Sequence, residues 1–221
     1  MYDKLIKYNR LNETILLIFL SILCFSMSTF RVLYTSEFHY LFLNWNLFLA
    51  FMPWLFSSLI IVNPELKKKK PVLVLLLFSW LIFFPNAPYI FTDLIHLRDW
   101  YSMPDWYDVI LILSFSWTGL LFGFLSLWDI ENIFKNRLNP KLIPFISTAL
   151  LFVAGYGVYL GRYGRWNSWD IVRNPFGLME NISDELGNPA SHRRAWGMAL
   201  LIGLFLNIIY WSIRLIKKKE Q

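Results

Sequence analysis

The sequence predicts an all-α protein, a polytopic membrane bundle of about six transmembrane helices, from three observations. Hydrophobic residues make up 57% and aromatic residues 19% of its 221 residues, and the mean hydropathy is +0.45, which is more apolar than a soluble domain. The apolar residues form separate runs of about 20, the length that an α-helix needs to cross a hydrocarbon core of roughly 30 Å. Basic clusters flank alternate runs, as in multi-pass membrane proteins.

Six apolar runs give the predicted spans, at residues 13–32, 41–62, 71–90, 108–128, 142–161 and 195–215. The first follows Lys4, Lys7 and Arg10, a basic start that signal peptides share, but no A-x-A cleavage pattern follows, so we expect an uncleaved span. The loops are too short for a soluble domain, which predicts a single integral membrane domain over residues 1–221. Cys24 is the only cysteine, so the chain has neither a disulfide framework nor a cysteine-based zinc site.

The four basic clusters predict the orientation of the chain. They contain all the lysines and lie at residues 4–10, 67–70, 135–141 and 214–219. The positive-inside rule places these clusters, and with them the N-terminus and the C-terminus, on the cytoplasmic side of the cell membrane. The pI near 9.4 therefore reflects membrane topology, and we expect no nucleic acid partner.

The predicted outer side carries arginines and no lysines, at positions 31, 98, 162, 165, 173, 193 and 194. The arginine guanidinium is a planar fork of donors that suits carboxylate or phosphate, whereas the lysine ammonium is a hydrated point charge. We therefore expect the outer side to recognise an anion. The alternative is that these arginines pair with the acidic residues of the same loops and only help to fold them.

The third span runs into FFPNAPYIFTDLIHLRDWY, residues 83–101. Pro85 and Pro88 lack an N–H and disfavour helix in the preceding residue, so we expect the third helix to break at the Pro-Asn-Ala-Pro segment, with Phe84 and Ala87 extended. A helix that starts at Pro71 has risen about 20 Å by then, which puts the break inside the membrane. Such breaks line binding cavities in transporters; a simple proline kink is the alternative.

Asp93 and His96 follow this segment, with Thr92 as the predicted N-cap of a resumed helix. Their spacing puts them on one face, where they can act as general acid and base or as an aspartate that orients a histidine. We assign both as candidate catalytic residues; a capping aspartate and an interfacial histidine are the alternatives. A zinc ion held by them with His192 or Asp170 lacks any H-E-x-x-H-like spacing, so no metal site is assigned and the cofactor is unknown.

The fifth span ends in GYGVYLGRYGRWNSWDIVRNP, residues 155–175. Arg162 and Arg165 leave this helix end three residues apart, beside Trp166 and Trp169, which predicts a phosphate or carboxylate clamp at headgroup depth. An interfacial anchor is the alternative, because tryptophan is common at the boundary and arginine snorkels. The candidate substrate-binding residues of the whole chain are Asn86, Tyr89, Arg162, Arg165, Asn167, Trp169 and Asp170.

Two further features concern packing and the last loop. Gly119 with Gly123 and Gly157 with Gly161 form G-x-x-x-G pairs, which predict close helix approach in the fourth and fifth spans. The loop at 174–194 is rich in asparagine, glycine, serine and proline, so we expect it to be irregular, with one helical turn, and to lie over the outer face as a lid.

The stretches FPNAPYIFTDLIHL at 84–97 and GRYGRWNSWDIVRNP at 161–175 resemble the bacterial membrane proteins grouped as domain of unknown function 1361. The resemblance extends to the multi-span layout and implies no established activity. It implies that the characteristic polar residues of this family are, in this chain, Asn86, Tyr89, Asp93, His96, Arg162, Arg165, Asn167, Trp169 and Asp170.

Three classes of function are left open, and whether the protein is an enzyme is undecided. The first is a membrane protein of the bacterial envelope that acts on or binds a lipid-linked or anionic substrate at an outward-facing Asp/His/Arg/Trp site. The second is a small transporter or ligand-binding membrane protein, and the third is a structural or assembly subunit of a membrane complex. The expected partners are the lipid bilayer and an anionic lipid or lipid-linked substrate. P-loop, dinucleotide and G-x-S-x-G patterns are absent from the sequence.

Overall fold

The computed structural model describes residues 6–98, 103–135 and 137–218, which contain helices and no strands. In chain order the helices are α1 (Leu11–Thr35), α2 (Phe42–Val62), α3 (Lys70–Phe83), α4 (Asn86–Tyr89), α5 (Asp105–Phe134), α6 (Ile143–Arg162), α7 (Asp170–Arg173), α8 (Pro175–Gly187) and α9 (Arg193–Lys218). Short 3-10 helices occupy His39–Leu41, Pro64–Lys67 and Ile90–Arg98.

Six helical stretches in the described part of the chain are long and apolar enough to cross a membrane: Leu11–Thr35, His39–Val62, Lys70–Leu97, Asp105–Phe134, Ile143–Arg162 and Arg193–Ile216. Each contains or closely overlaps one predicted run, so the prediction of an all-α bundle with six spans is confirmed. The chain is a multi-pass integral membrane protein. The cytoplasmic placement of its termini stays a prediction.

The chain packs as two compact units, Met1–Phe134 and Lys135–Gln221, and each is described by itself. In the first unit α5 is the central helix. In its apolar stretch 61% of the residues are buried, against 22–33% in the other candidate spans. Its buried Leu111, Ile112 and Phe115 share one apolar core with residues of α1 and α2. The single integral domain over residues 1–221 stays a prediction.

Two buried arginine–aspartate pairs join α1 to α5 at opposite ends of the two helices. Arg31 donates from Nε to Oδ1 of Asp108 (2.7 Å) and from Nη2 to Oδ2 (3.1 Å), and both residues are 1% exposed. At the other end, Nη1 of Arg10 donates to Oδ1 of Asp129 (2.6 Å). The beginning of α1 thus meets the end of α5, which makes the helices antiparallel. Arg31 therefore pairs with an acidic residue of the chain, which was the alternative to anion recognition for the outer arginines.

The Pro-Asn-Ala-Pro segment stays helical, so the predicted break of the third span is not confirmed. Although α3 ends at Phe83, Phe84 has φ −55° and ψ −38°, and Ala87 lies inside α4; the prediction of extended backbone at both residues is wrong. The physical reason is position. Pro85 is the N-cap of α4 and Pro88 lies within the first turn, where a missing N–H removes no helical hydrogen bond.

The segment packs against the glycine pair of α5. A Cβ atom added at Gly119 would lie 2.9 Å from the carbonyl oxygen of Ala87, and one at Gly123 would lie 2.7 Å from the Cβ of Ala87. Both distances are shorter than a van der Waals contact, so only glycine fits without movement of the neighbour. The predicted close approach in the fourth span is therefore confirmed.

The second unit is built on an antiparallel pair, α6 and α9. The two helices approach closely at Gly155, where an added Cβ would lie 2.6 Å from the carbonyl oxygen of Ala199, and at Gly203, where it would clash with Phe152. The predicted close approach at Gly157 and Gly161 stays a prediction. The stretch expected to be irregular contains α8, a helix of 13 residues, so that expectation is wrong. Asn174 caps α8 by accepting from the backbone N–H of Gly177 (3.1 Å), and Pro175 is its first residue, a favoured start.

Candidate functional site

The predicted site residues fall into two groups, one in each unit. Asn86, Tyr89, Asp93 and His96 belong to the first unit, and we call them the Asp93 cluster. Arg162, Arg165, Asn167, Trp169 and Asp170 belong to the second unit, in the segment that leaves α6.

Asp93 lies in the first turn of the 3-10 helix Ile90–Arg98 and is 1% exposed. Its Oδ2 accepts a hydrogen bond from Nδ2 of Asn46 on α2 (2.9 Å). A carboxylate at this depth needs hydrogen-bond donors because lipid supplies none. Asn46 was missed in the sequence, where the available signal was two amides, Asn44 and Asn46, within an apolar run. The bond links the 3-10 helix to α2.

His96 and its neighbours also make contacts within the first unit. The His96 ring packs edge-on against Phe42, with 5.6 Å between ring centroids, and its backbone carbonyl accepts from the Tyr40 hydroxyl (3.0 Å). Thr92 is not an N-cap: it lies inside the 3-10 helix, and its hydroxyl donates to the carbonyl of Tyr89 (2.6 Å). A 3-10 helix that follows α4 without a gap leaves no helix start for Thr92 to cap.

Asn86 has a role that the proline pattern does not indicate. Its Nδ2 donates to the carbonyl oxygen of Phe83 (2.9 Å), the last residue of α3. Because α3 stops there, its final carbonyls lack helical N–H partners, and the Asn86 amide satisfies one of them. Asn86 therefore stabilises the passage from α3 to α4.

In the second unit, the chain makes a tight turn after the end of α6 at Arg162. The N–H of Trp166 donates back to the carbonyl of Leu160 (3.1 Å), and Arg165 has a left-handed backbone with φ 56°. Glycine is the usual residue at this position, because a Cβ atom is strained there. Gly164 precedes it, and a Cβ there would lie 2.7 Å from the Leu160 oxygen. The chain therefore has glycine at 164, where a Cβ atom would be too close to the Leu160 oxygen, and arginine at 165, where the backbone is left-handed.

The polar side chains around this turn differ in their contacts. Asp170 Oδ2 accepts from the backbone N–H (2.7 Å) and from Nδ2 (3.2 Å) of Asn167, so these two residues brace the turn before α7. Arg162 and Trp169 are half-buried. Arg165 is exposed, and its side chain has no hydrogen bond or ion pair within the described residues. Of this group, Arg165 is the side chain best placed to meet a ligand.

A buried carboxylate that sequence reasoning missed holds α8 against α6. Glu185 is 3% exposed; it accepts from the Tyr156 hydroxyl (2.6 Å) and from Nδ2 of Asn181 (2.8 Å). Asn181 in turn accepts from Nε1 of Trp166 (2.7 Å). The signal in the sequence was the i, i+4 spacing of Asn181 and Glu185, which has meaning only once the stretch is recognised as a helix. This network fixes Trp166 directly after Arg165.

Asp184, at the exposed side of α8, forms a smaller cluster. Hydrogen bonds from Asn188 first, and then from His192, hold the pKa of the Asp184 carboxyl below its ordinary value. The His192 contact is 3.0 Å, from Nε2 to Oδ2. No group of three or more His, Cys, Asp or Glu side chains that could hold a metal ion occurs in residues 6–98, 103–135 and 137–218.

Comparison with known proteins gives one match. A family model described as "Protein of unknown function (DUF1361)" matches residues 45–209, a range that contains both groups of predicted site residues and begins after α1. No curated protein and no solved structure matched the chain.

Proposed function

The chain belongs to the DUF1361 family of proteins of unknown function, and on that premise we propose that it binds an anionic, phosphate-bearing lipid headgroup or lipid-linked substrate. The site is the arginine end of the second unit, which we define as Arg162 and Arg165 at the end of α6 with Arg193 and Arg194 at the start of α9. The exposed, strained Arg165 carries the proposal.

Arg165 occupies a position that favours glycine. A non-glycine residue in the left-handed region costs about 1–2 kcal/mol, so arginine here opposes stability. The strain supports a role for the side chain, because strained backbone clusters at binding sites where it positions a group. The guanidinium is exposed and has no partner among the described residues, so a phosphate could engage it without breaking an existing bond.

The antiparallel pair brings further arginines to the same end. The rings of Tyr156 on α6 and Trp196 on α9 stack with 5.9 Å between centroids, so the end of α6 and the start of α9 lie level. Arg193 and Arg194 are both exposed. Several guanidinium groups near a span end can give a phosphate group the charge-assisted hydrogen bonds that it prefers.

The test uses Arg165→Gly, which removes the guanidinium and also relieves the backbone strain. The purified protein in detergent is titrated with dihexanoyl phosphatidic acid, and with dihexanoyl phosphatidylcholine as the comparison lipid. We expect affinity for phosphatidic acid to fall about tenfold or more, since a hydrogen bond to a charged group contributes about 1.5–3 kcal/mol. The melting temperature should stay equal or rise. Wild-type affinity should also fall with salt.

Equal affinity of wild type and Arg165→Gly for phosphatidic acid would contradict the proposal. Arg173→Gly is a matched control, because Arg173 is an exposed arginine of the same unit, in α7, outside the arginine end. It should leave the affinity within about twofold, as expected for a solvated charge several residues away.

The assignment of Asp93 and His96 as general acid and base stays a prediction, and the proposal does not depend on it. The 1% exposure of Asp93 and its bond to Asn46 favour a role in holding the 3-10 helix.

We also propose that the arginine end faces outward and that both termini are cytoplasmic. The distribution of lysines supports this orientation. Cysteine-accessibility labelling of intact cells that carry the Asn139→Cys variant tests it. We expect no labelling of the introduced cysteine.

A further inference from the structure

A groove with a volume of about 800 Å³ runs between α1 and α2 of the first unit. Its walls are mostly apolar and include Ile18 and Phe25 of α1, Phe48 and Phe51 of α2, and Phe122 of α5 at its floor. The volume falls within the range of small-molecule sites, roughly 300–1,000 Å³. The groove is not part of the arginine end, which belongs to the other unit.

One end of the groove is polar. Arg10, Thr14, Ser58 and Asn63 line it there, at the start of α1 and the end of α2. Nη2 of Arg10 donates to Oγ of Ser58 (2.9 Å), and the Thr14 hydroxyl donates to the Arg10 carbonyl (2.7 Å). A long apolar channel with one polar end has the polarity pattern of a single lipid chain and its ester linkage.

One nitrogen of the Arg10 guanidinium has no hydrogen-bond partner among the described residues. Arg10 is 3% exposed; Nη1 donates to Asp129, and Nη2 donates to Glu13 and Ser58. Its Nε is buried and has no hydrogen-bond partner among the described residues. A buried donor without an acceptor is unfavourable, so an acceptor supplied by a ligand at this end would be stabilising.

The charges at the polar end select the kind of acceptor. Asp129 and Glu13, both within hydrogen-bond distance of Arg10, place two negative charges directly against it, while Lys67 adds a positive charge that acts on Asp129. This cluster disfavours a phosphate beside Arg10, because like charges repel at close range. A neutral oxygen, such as the carbonyl of a fatty acyl ester, fits better.

The depth of the groove favours a narrow occupant. Its walls reach the buried Leu17 and Leu47, each 2% exposed, and Phe122, which is 4% exposed. An α-helix with side chains is about 10–12 Å wide, whereas a single extended acyl chain is only about as wide as one methylene group and can reach these buried residues. Arg10 and Phe25 are about 22 Å apart along α1 at 1.5 Å per residue, which is enough length for an extended acyl chain.

We infer that this groove holds one acyl chain of a membrane glycerophospholipid, with the ester carbonyl at Arg10 and the chain running between α1 and α2 toward Phe25. The inference concerns a different unit and a different part of the lipid from the arginine end, so either can fail alone.

The test uses a phosphatidylcholine that carries a photoreactive diazirine on one acyl chain, in vesicles that contain the full-length protein. After irradiation, the labelled residues are mapped by mass spectrometry. We expect labels to concentrate on groove residues such as Ile18, Phe51 and Leu55. Ser21→Phe, which places a ring in the groove, should reduce that labelling several-fold. The control Ile15→Phe places the same ring on a residue of α1 that is 56% exposed and does not line the groove, and it should leave the labelling unchanged.

Leu55→Trp, on the opposite wall, is a second filling variant, and melting curves establish that each variant is folded. Labelling spread evenly over the exposed residues of α1, or groove labelling unaffected by both filling variants, would overturn the inference. Cross-links between two chains at groove residues would overturn it as well, because they would show a second copy as the occupant. Arg165→Gly should leave groove labelling at the wild-type level.

Discussion

At the scale of single residues, the structure separates polar groups that hold the fold from polar groups that are free to bind. Asp93 and Arg31 are each 1% exposed, and the hydrogen bonds that hold them come from inside the first unit. Arg165 is exposed and held in a strained conformation. Sequence reasoning identified Asp93 and Arg165 as notable residues but could not tell these roles apart, because burial depends on which helices become neighbours.

Asp93→Asn tests the role of the aspartate. The asparagine keeps the shape but loses the charge, and its amide can place a donor opposite the amide of Asn46. We expect the free energy of unfolding to fall by about 1–3 kcal/mol, measured as a lower melting temperature in detergent. Asp105→Asn is the control. Asp105 is exposed, so this variant should melt at the wild-type temperature. A wild-type melting curve for Asp93→Asn would return the residue to the candidates for catalysis.

At the scale of elements, the spans were predictable and their contacts were not. Span length and composition are local properties, so all six spans were identified from the sequence. For each span, at least one predicted end lies within a few residues of the observed end. The pairing of Arg31 with Asp108 joins residues 77 positions apart, and no local pattern encodes it. The helix α8 was missed because its Asn-Pro start and internal glycine were interpreted as loop signals, although Asn and Pro also begin helices.

The contact between α4 and α5 gives a prediction about packing. In Gly123→Ala the new methyl group would lie 2.7 Å from the Cβ of Ala87, so one of the two helices has to move. Overpacking of this kind costs about 1–3 kcal/mol, which should lower the melting temperature.

The matched control for that packing prediction is Gly197→Ala in α9, where an added Cβ meets no atom within 4 Å. Alanine is also favoured over glycine in helices by about 1 kcal/mol, so this variant should melt at or above the wild-type temperature. A Gly123→Ala variant as stable as Gly197→Ala would show that Ala87 does not pack tightly on α5.

The ion pairs between α1 and α5 give a second prediction at this scale. Asp108→Asn leaves the buried Arg31 guanidinium with only Glu37, 3.9 Å away, as a counter-charge, and loss of one partner of a buried pair typically costs about 3–5 kcal/mol. The double variant Arg31→Met, Asp108→Leu should recover most of that loss, because both charges are then absent. Thermal melts of the single and double variants measure both effects. Equal destabilisation by the single and double variants would contradict this account of the pair.

At the scale of the whole molecule, composition predicted the class of protein correctly, whereas the site depends on features that composition does not contain. An apolar chain with six long helices has to be multi-pass, because the hydrophobic runs leave no other way to bury so much apolar surface. The exposed arginine after the end of α6, the buried Glu185 that holds α8 against α6 and the groove along α1 became visible only in three dimensions. Of these, the arginine end carries the proposed function.

The most direct test of that function is native mass spectrometry of the protein purified gently from its own membrane, with the Arg162→Gln, Arg165→Gln variant measured in parallel. The proposal predicts that wild type retains an anionic lipid or lipid-linked phosphate and that the variant loses it, while a phospholipid in the groove is retained by both. Equal retention of anionic lipid by wild type and a folded variant, or no anionic lipid on wild type, would contradict the proposal.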